Sequence, residues 1–181
     1  MTMAEYVVLL FFLIVALGIC VWCVYMLAGE FLGGAAFVPT NHKDIQKLLE
    51  KLKIKPGQVL YDLGSGDGRV VKHAVKNYQA RGIGVEINPW LLLWSRLTSK
   101  KDGLTNIKFI SRDFWKMNLN NADYIYFYMS PRSAEKMGKK VQKECRRGTV
   151  LISKAFEIKT MRDKLVEAVL LNGKRYWIYK I

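Results

Sequence analysis

A glycine-rich turn with acids in and beside it is the part of this sequence best suited to chemistry. Residues 62–69 read Asp-Leu-Gly-Ser-Gly-Asp-Gly-Arg and follow an apolar stretch, Val59-Leu60-Tyr61, with the pattern of a buried strand. Glycines at alternate positions let the backbone bend tightly and approach a ligand closely. The helix expected to begin near Arg69 would direct the positive end of its dipole at that ligand. The turn therefore predicts a site for a nucleotide-like molecule, in which Asp62 could accept from an amine or a hydroxyl.

A further acid follows at a spacing typical of nucleotide-binding α/β units. Residues 81–86 read Arg-Gly-Ile-Gly-Val-Glu, a short buried strand that ends in Glu86, 24 residues after Asp62. Such units place the carboxylate that binds the ribose hydroxyls about 20 residues downstream. The alternative is a strand–turn–helix corner without a ligand, in which Glu86 is a solvated acid.

Two better-known phosphate sites do not fit the turn. The dinucleotide fingerprint Gly-x-Gly-x-x-Gly/Ala requires a small third residue, and this sequence has Arg69 there. A P-loop requires Gly-Lys-Ser/Thr, which does not follow the turn. The spacing Asp-x-Gly-x-Gly-x-Gly instead resembles motif I of the class I, seven-strand S-adenosylmethionine-dependent methyltransferases.

Strand and helix patterns alternate along the chain around this turn. Apolar periodicity predicts a helix before the turn, capped by Thr40 or Asn41, and turn residues predict helices that begin at Asn88-Pro89 and Ser130-Pro131. Five strands and a hairpin around Asn172-Gly173 predict a three-layer α/β sheet. Beyond the two strands already placed, the predicted strand segments are 107–110, 122–129, 149–153, 166–171 and 174–179.

The first residues of the chain differ from the rest. Residues 6–28 contain 23 consecutive uncharged, mostly apolar residues, with Tyr6 near one end and Trp22 and Tyr25 near the other. As a helix they would extend roughly 34 Å, enough for a hydrocarbon core of about 30 Å. A signal peptide normally has a basic start and a shorter apolar core, and a buried core helix normally has a polar face. The sequence therefore predicts a single membrane span that contacts the lipid bilayer through residues 6–28.

The charge distribution orients that span. The chain carries a net charge of +14, and all 29 Lys and Arg lie at or after Lys43. With 13 acidic residues in the same part, that part has a net charge of +16. The positive-inside rule places it in the cytoplasm, and the lack of an Arg-rich mitochondrial presequence favours a prokaryotic plasma membrane. Nucleic-acid binding is the rival use of a basic surface, but no recognition motif accompanies the scattered charges, so anionic lipid is favoured.

The cysteines and histidines predict neither a disulfide framework nor a metal site. Cys20 and Cys23 lie inside the apolar run, where the thiolate form is disfavoured, and Cys145 stands alone. His73 has no His, Cys or acid at metal-ligand spacing.

The ordered set of motifs is similar to a family of small membrane-anchored protein-lysine methyltransferases. Eukaryotic members of that family modify the rotor-ring protein of ATP synthase and the adenine nucleotide translocase. The resemblance covers about four-fifths of the chain and rests on the N-terminal span and on Phe37-Val38-Pro39, residues 62–69, Glu86-Ile87-Asn88-Pro89, Asp113-Phe114-Trp115, Tyr128-Met129-Ser130-Pro131 and Gly148-Thr149-Val150. It implies an anchor and linker over residues 1–36 and a methyltransferase domain over residues 37–181. The implied fold is the Rossmann-like seven-stranded sheet, order 3-2-1-4-5-7-6, with strand 7 antiparallel. One departure is Lys154, where we expect His in related bacterial chains.

The resemblance assigns the residues that would bind S-adenosyl-L-methionine. Glu86 would hold the ribose and Asp113 the exocyclic amine of the adenine, although Asp113 could equally cap a helix. The full set of implied cofactor residues is Asp62, Leu63, Gly64, Ser65, Gly66, Glu86, Asn88 and Asp113.

The resemblance also implies that the methyl acceptor lies after the fourth strand, but no residue qualifies as a general base. Tyr128 could orient an amine or face a cationic methyl group, although aromatic residues near strand ends more often pack. The other candidates for the substrate pocket are Trp115, Ser130, Pro131, Pro39 and Thr40. The function indicated is N-methylation of a lysine in a membrane-associated protein. A methyltransferase for a lipid or a hydrophobic small molecule, a non-catalytic cofactor-binding module and, on charge alone, an RNA methyltransferase remain alternatives.

Overall fold

The chain divides into two compact units, with the boundary between Val38 and Pro39. The structure is a computed structural model that describes residues 2–31 and 38–181, with the backbone alone for residues 24–31. Residues 32–36 of the predicted anchor and linker, Phe37 and the side chain of Tyr25 lie outside the described residues.

The N-terminal unit contains one long helix, α1 (Met3–Phe31). Within it, Met3–Cys23 is long and apolar enough to cross a membrane, and its side chains are exposed in the structure. This finding rests on length and composition, and a signal sequence near the N-terminus can pass the same test. The helix is thus a candidate membrane span.

The second unit is built on one seven-stranded sheet with the order β3-β2-β1-β4-β5-β7-β6, as the resemblance implied. Strands β1 to β5 run parallel, and β7 pairs antiparallel with both β5 and β6. The strands are Val59–Leu63 (β1), Arg81–Val85 (β2), Ile107–Ile110 (β3), Tyr124–Phe127 (β4), Val150–Lys154 (β5), Leu165–Leu171 (β6) and Lys174–Lys180 (β7).

Helices cover both faces of this sheet, because alternate strand residues face opposite sides. Apolar residues of α2, α3 and α4 form the core on one face, and those of α5 form the core on the other. The helices are His42–Leu52 (α2), Arg69–Tyr78 (α3), Pro89–Lys101 (α4) and Pro131–Glu144 (α5), with short 3-10 helices at Phe114–Lys116 and Lys159–Lys164.

Local sequence signals determine where most of these elements begin. Asn41, Asn88 and Ser130 each accept a backbone N–H in the first turn of α2, α4 and α5. Asn172 and Gly173 both have positive φ, which a two-residue hairpin of this kind requires. Strand β4 is shorter than predicted, because Tyr128 and Met129 leave the sheet before Ser130 caps α5.

Candidate active site

The glycine-rich turn connects β1 to α3 at the carboxyl edge of the sheet. Gly64, Gly66 and Gly68 all have positive φ, at 80°, 56° and 75°. The N–H groups of Gly64 and Ser65 both donate to the Val85 carbonyl at the end of β2, at 2.8 and 3.0 Å. The turn is therefore fixed against the neighbouring strand and forms a rigid elbow.

Glu86 supports the elbow from the end of β2. Its Oε2 accepts the Gly66 N–H and its Oε1 accepts the Asn88 N–H, both at 2.8 Å. A carboxylate oxygen has two acceptor sites, so each oxygen can still accept a ligand hydroxyl. Asn88 is less available, because its Oδ1 caps α4 by accepting from Trp90 and Leu91.

Asp62 is a buried carboxyl group without a hydrogen-bond donor among the described residues, and its residue is only 3% exposed. Burial, together with the negative charges of Glu86 and Asp67, raises the pKa of Asp62 to about 8. Ser65 adds a buried hydroxyl without a partner in the described part of the chain. Because a buried carboxylate is costly without a donor, the elbow is suited to a ligand that brings a positive charge or donors.

Gly68 differs in role from what the alternating glycines predict. A Cβ at Gly68 would lie 2.5 Å from Cζ of the Phe109 ring and 3.2 Å from the Ser95 side chain. At Gly64 the nearest atom to such a Cβ is the Met129 methyl, 3.9 Å away. The third glycine is thus needed for close packing of α3 against β3 and α4, and it does not open a path to a ligand.

Arg69 links the elbow to the segment before α2. Its Nε and Nη2 donate to the Asp67 carboxylate, at 2.6 Å for the shortest contact, and its Nη1 donates to the Thr40 carbonyl at 3.0 Å. Burial alone would raise the pKa of Asp67, but the hydrogen bonds and charge of Arg69 hold it below its ordinary value. Asp67 is therefore an ionised structural acid that positions Arg69.

A buried polar cluster lies at the carboxyl ends of β4 and β5. Thr40 Oγ1 lies 3.0 Å from Tyr126 Oη and accepts a hydrogen bond from Lys154 Nζ at 3.0 Å. The same ammonium lies 4.3 Å from the centre of the Tyr128 ring. Lys154 is only 4% exposed, so its charge is held within the protein and faces an aromatic ring.

Burial and the charge of Asp44 act on the pKa of Lys154 in opposite directions. Burial lowers the pKa of Lys154, Asp44 opposes that change, and the charges of Lys174 and Arg69 add to it. Asp44 is buried on the same side and accepts from the Tyr176 hydroxyl at 3.2 Å. A second ammonium placed near Lys154 would meet its positive charge, which lowers the pKa of that second amine.

Most of the predicted cofactor residues meet at the elbow, and Asp113 lies at the end of another strand. Leu63 is buried at the end of β1 and packs in the core. Asp113 is exposed after β3, and its Oδ1 caps the 3-10 helix by accepting from Trp115 at 2.9 Å. Asp113 Oδ1 therefore acts as a helix cap, whereas Oδ2 has no partner among the described residues.

The predicted acceptor residues fall into a buried group and a surface group. Thr40 is buried and Tyr128 half-buried in the polar cluster, whereas Pro39, Ser130 and Pro131 are exposed. Trp115 packs against Phe114 and Phe127, with Lys136 Nζ 4.2 Å above its ring. These contacts are those of a packed aromatic residue at a strand end, which was the alternative to a role in the substrate pocket.

The roles of Tyr126, Lys154 and Arg69 in connecting the site were not predicted from the sequence. Lys154 was visible only as a departure from the expected family pattern, and Tyr126 reads as one more apolar position of a buried strand. The contacts of Lys154 and Tyr126 with Thr40 span 114 and 86 residues, so no local spacing signals them.

Comparison with known proteins gives a consistent result. Residues 62–164 match the family described as ANTKMT methyltransferase domain. A protein-lysine N-methyltransferase from Saccharolobus islandicus (strain REY15A) is 28% identical over 145 residues, covering 79% of this chain and 90% of that protein. A lysine N-methyltransferase from Homo sapiens, named for the C subunit of ATP synthase, is 33% identical over 109 residues, covering 60% of this chain and 46% of that protein. The match therefore spans about half the length of the human relative.

A solved structure extends the comparison to the fold and the cofactor. An RNA methyltransferase from Salinibacter ruber, in complex with S-adenosyl-L-homocysteine, has 30% identity and a TM-score of 0.74, covering 80% of this chain and 94% of that one. S-adenosyl-L-homocysteine is what S-adenosyl-L-methionine becomes when it loses its methyl group. Asp62, a buried acid without a donor among the described residues beside the rigid elbow, fits S-adenosyl-L-methionine, which is a positively charged nucleoside. With its sheet order, its elbow and these matches, the chain belongs to the ANTKMT methyltransferase-domain family and is an S-adenosyl-L-methionine-dependent methyltransferase.

Proposed function

We propose that this methyltransferase is anchored in a membrane by α1 and transfers a methyl group to the ε-amine of a lysine in a membrane-associated protein. The family match over residues 62–164 carries the proposal. The archaeal relative, most of whose length is matched, is named for protein-lysine methylation, and the human relative is named for a lysine of an ATP synthase protein. The apolar stretch Met3–Cys23 supports the anchor.

The elbow, with Asp62 and Glu86, is the proposed cofactor site. S-adenosyl-L-methionine supplies an electrophilic methyl group on a sulfonium when it is bound. Glu86 would accept ribose hydroxyls while it holds the Gly66 N–H, and Asp62 would accept from the cationic amino group. Asp113 Oδ2 would accept from the adenine. The work of these residues is to bind and orient, because alignment of the reacting groups supplies much of the rate.

The polar cluster of Thr40, Tyr126, Tyr128 and Lys154 is the proposed acceptor side. A lysine must lose its proton before it can act as a nucleophile, and its ordinary pKa is about 10.4. The buried charge of Lys154, 4.3 Å from the Tyr128 ring, would disfavour a second ammonium and favour the free amine. The amine would then lose its proton to solvent more readily, and no residue is assigned as a general base.

The membrane orientation completes the proposal. All Lys and Arg residues lie at or after Lys43, so the positive-inside rule places the methyltransferase domain in the cytoplasm of a single-pass protein. An acceptor lysine would then lie on the same side, near the membrane surface.

RNA methylation is the second candidate, and one finding favours it. The similar solved structure from Salinibacter ruber is named an RNA methyltransferase, and this chain has a net charge of +14 that could bind phosphates. The two candidates share the cofactor site and differ in the acceptor.

Label transfer separates the candidates. The full-length chain, purified in detergent, is incubated with tritium-labelled S-adenosyl-L-methionine and cell membranes, with cytosolic RNA present. Samples are then split for protease, ribonuclease and organic extraction, and a Glu86→Ala variant measures the background. Label that protease releases and that hydrolysis recovers as methyl-lysine supports the proposal. Label that ribonuclease releases or that organic solvent extracts would overturn it in favour of RNA or lipid.

A further inference from the structure

Helix α4 presents large apolar side chains to solvent along one side. Trp90, Leu93, Trp94 and Leu97 are 70%, 49%, 59% and 56% exposed. Their spacing, i, i+3, i+4 and i+7, places all four on one face of the helix. We call these four residues the α4 stripe.

The α4 stripe faces away from the protein core. The buried residues of α4 are Leu92, Ser95 and Ser99, which lie on its other side. The periodicity of the stripe is typical of a core-facing helix, yet the sheet is covered by the smaller, more polar side. In residues 38–181, the other exposed large apolar residues are Val38, Ile87, Val166 and Leu170. The largest grouping therefore lies on α4, where Ile87 extends it by one residue before the cap.

The charges of α4 complement an anionic surface. The helix has no acidic residue, and its basic residues Lys100 and Lys101 are exposed. Arg96 is exposed as well, but its Nη2 donates to the Phe109 carbonyl at 2.9 Å. Lys101 follows Leu97 by four residues, so it continues the line of the stripe toward the end of the helix. An apolar face that contains tryptophan and is continued by exposed lysine is typical of helices that lie in a membrane interface.

We propose that the α4 stripe inserts into the interfacial layer of an anionic lipid bilayer. This inference rests on the membrane anchoring in the proposed function and adds a second lipid contact to it. α4 begins three residues after Glu86, whose carboxylate accepts the Asn88 N–H. Docking of α4 would therefore hold the cofactor edge of the sheet near the headgroups. It would also restrict the acceptor to lysines at that depth.

Tryptophan fluorescence in lipid tests the docking directly. The full-length chain is placed in nanodiscs whose acyl chains carry bromine, a short-range quencher, in either phosphatidylglycerol or phosphatidylcholine. The chain has five tryptophans, so the difference between the wild type and a Trp90→Phe/Trp94→Phe variant isolates the α4 signal. We expect bromine to quench most of the α4 signal in phosphatidylglycerol and clearly less of it in phosphatidylcholine.

Two results would overturn the inference. An α4 signal that bromine leaves unquenched in both lipids excludes insertion, and if aqueous iodide also fails to quench it, a protein surface covers α4 instead. Equal quenching in both lipids excludes the role of the basic residues. Label transfer to lysine is measured separately, so unquenched α4 with intact lysine methylation would reject the docking and leave the proposed function standing.

A matched pair of variants provides the control. Leu93→Ser/Leu97→Ser removes half of the stripe, and Val166→Ser/Leu170→Ser removes two similarly exposed apolar residues from β6, at the opposite edge of the sheet. The first variant should reduce the bromine quenching of Trp90 and Trp94, and the second should leave it unchanged. The same loss in both variants would contradict a site on α4.

Discussion

The cofactor half and the acceptor half of the candidate site are built in different ways. The cofactor half, residues 62–68 with Glu86, comes from one strand–turn–helix unit and the strand beside it. The acceptor half consists of Thr40, Tyr126, Tyr128 and Lys154. The hydrogen bonds of Thr40 with Tyr126 and with Lys154 span 86 and 114 residues. A local motif can thus specify cofactor binding, whereas the acceptor environment exists only once the sheet has formed.

Arg69 connects the two halves through an ion pair on one side and a hydrogen bond on the other. Arg69 binds Asp67 in the elbow and donates to the Thr40 carbonyl at 3.0 Å. Apart from this link, the two halves are built from different segments, so the comparison predicts that variants in one half change one measurable property and largely spare the other.

The largest effect is expected for Glu86→Ala. It removes a carboxylate that holds the Gly66 and Asn88 N–H groups, and hydrogen bonds to a charged group are worth about 1.5–3 kcal/mol each. S-adenosyl-L-methionine should bind roughly 100-fold more weakly by calorimetry. Glu167→Ala, at an exposed glutamate paired with Lys51, is the control and should bind normally. Equal affinities in the two variants would contradict the role of Glu86.

Asp62→Asn should change how cofactor affinity depends on pH. The free carboxyl has a pKa of about 8, and a bound cation favours its ionised form. Below pH 8 binding therefore releases a proton, and wild-type affinity should rise up to about tenfold per pH unit between about pH 6 and 8. The variant should lack that slope. Ionisation of the cofactor itself changes the affinity of both chains equally, so it cancels in the comparison.

The same carboxyl gives a stability test with a definite sign. Its pKa is raised on folding, so its favourable contribution is complete below about pH 4 and is lost as pH rises toward 8. Ligand-free Asp62→Asn should therefore unfold at a higher temperature than the wild type at about pH 8.5, with a smaller difference at about pH 5. A variant that is less stable than the wild type under the alkaline condition would show that Asp62 has a stabilising partner.

Gly68→Ala sharpens the comparison within the cofactor half. Its Cβ would meet Cζ of the Phe109 ring at 2.5 Å in a left-handed backbone, so overpacking of about 1–3 kcal/mol adds to the backbone strain. Gly148→Ala, with φ of +93° and open space around it, would add only the backbone strain. Its free energy of unfolding should fall by only about 1 kcal/mol. Chemical denaturation measures both. Equal losses would mean that the packing role of Gly68 is wrong.

The smallest effect is expected for Lys154→Met, and it should fall on transfer. Within the described part of the chain, Lys154 contacts Thr40 and Tyr128 and no predicted cofactor residue. Cofactor affinity should therefore stay unchanged while the rate falls about tenfold. Without the buried charge, the acceptor amine should need a pH about one unit higher to react. Lys180→Met, at an exposed lysine of β7, is the control. An unchanged pH profile would leave Lys154 with a packing role alone.

Local residue signals predicted the sheet and the elbow well. Asn88-Pro89, Ser130-Pro131 and Asn172-Gly173 set element ends through caps and turn geometry, which depend on a few neighbouring residues. The strand order came from the resemblance and is confirmed. These features were accessible because their physical causes are local or belong to the family.

The features that were not predicted depend on distant packing. The close approach of Gly68 to Phe109 and the link from Thr40 to Lys154 join segments far apart in sequence. The α4 stripe was also hidden, because a period of three to four apolar residues normally indicates a core face, whereas here Leu92, Ser95 and Ser99 cover the sheet. Periodicity reports that a helix has two faces but not which of them the sheet contacts.

The central claim is that the acceptor is a lysine near a membrane, and mass spectrometry of membrane proteins tests it most directly. Membranes are compared from cells that carry the wild-type chain, the Glu86→Ala variant or no copy of the gene. The account predicts lysine peptides whose methyl mass shifts appear with the wild-type chain alone. Identical lysine methylation in all three membranes, with a wild-type-dependent methyl group found on RNA, would contradict it.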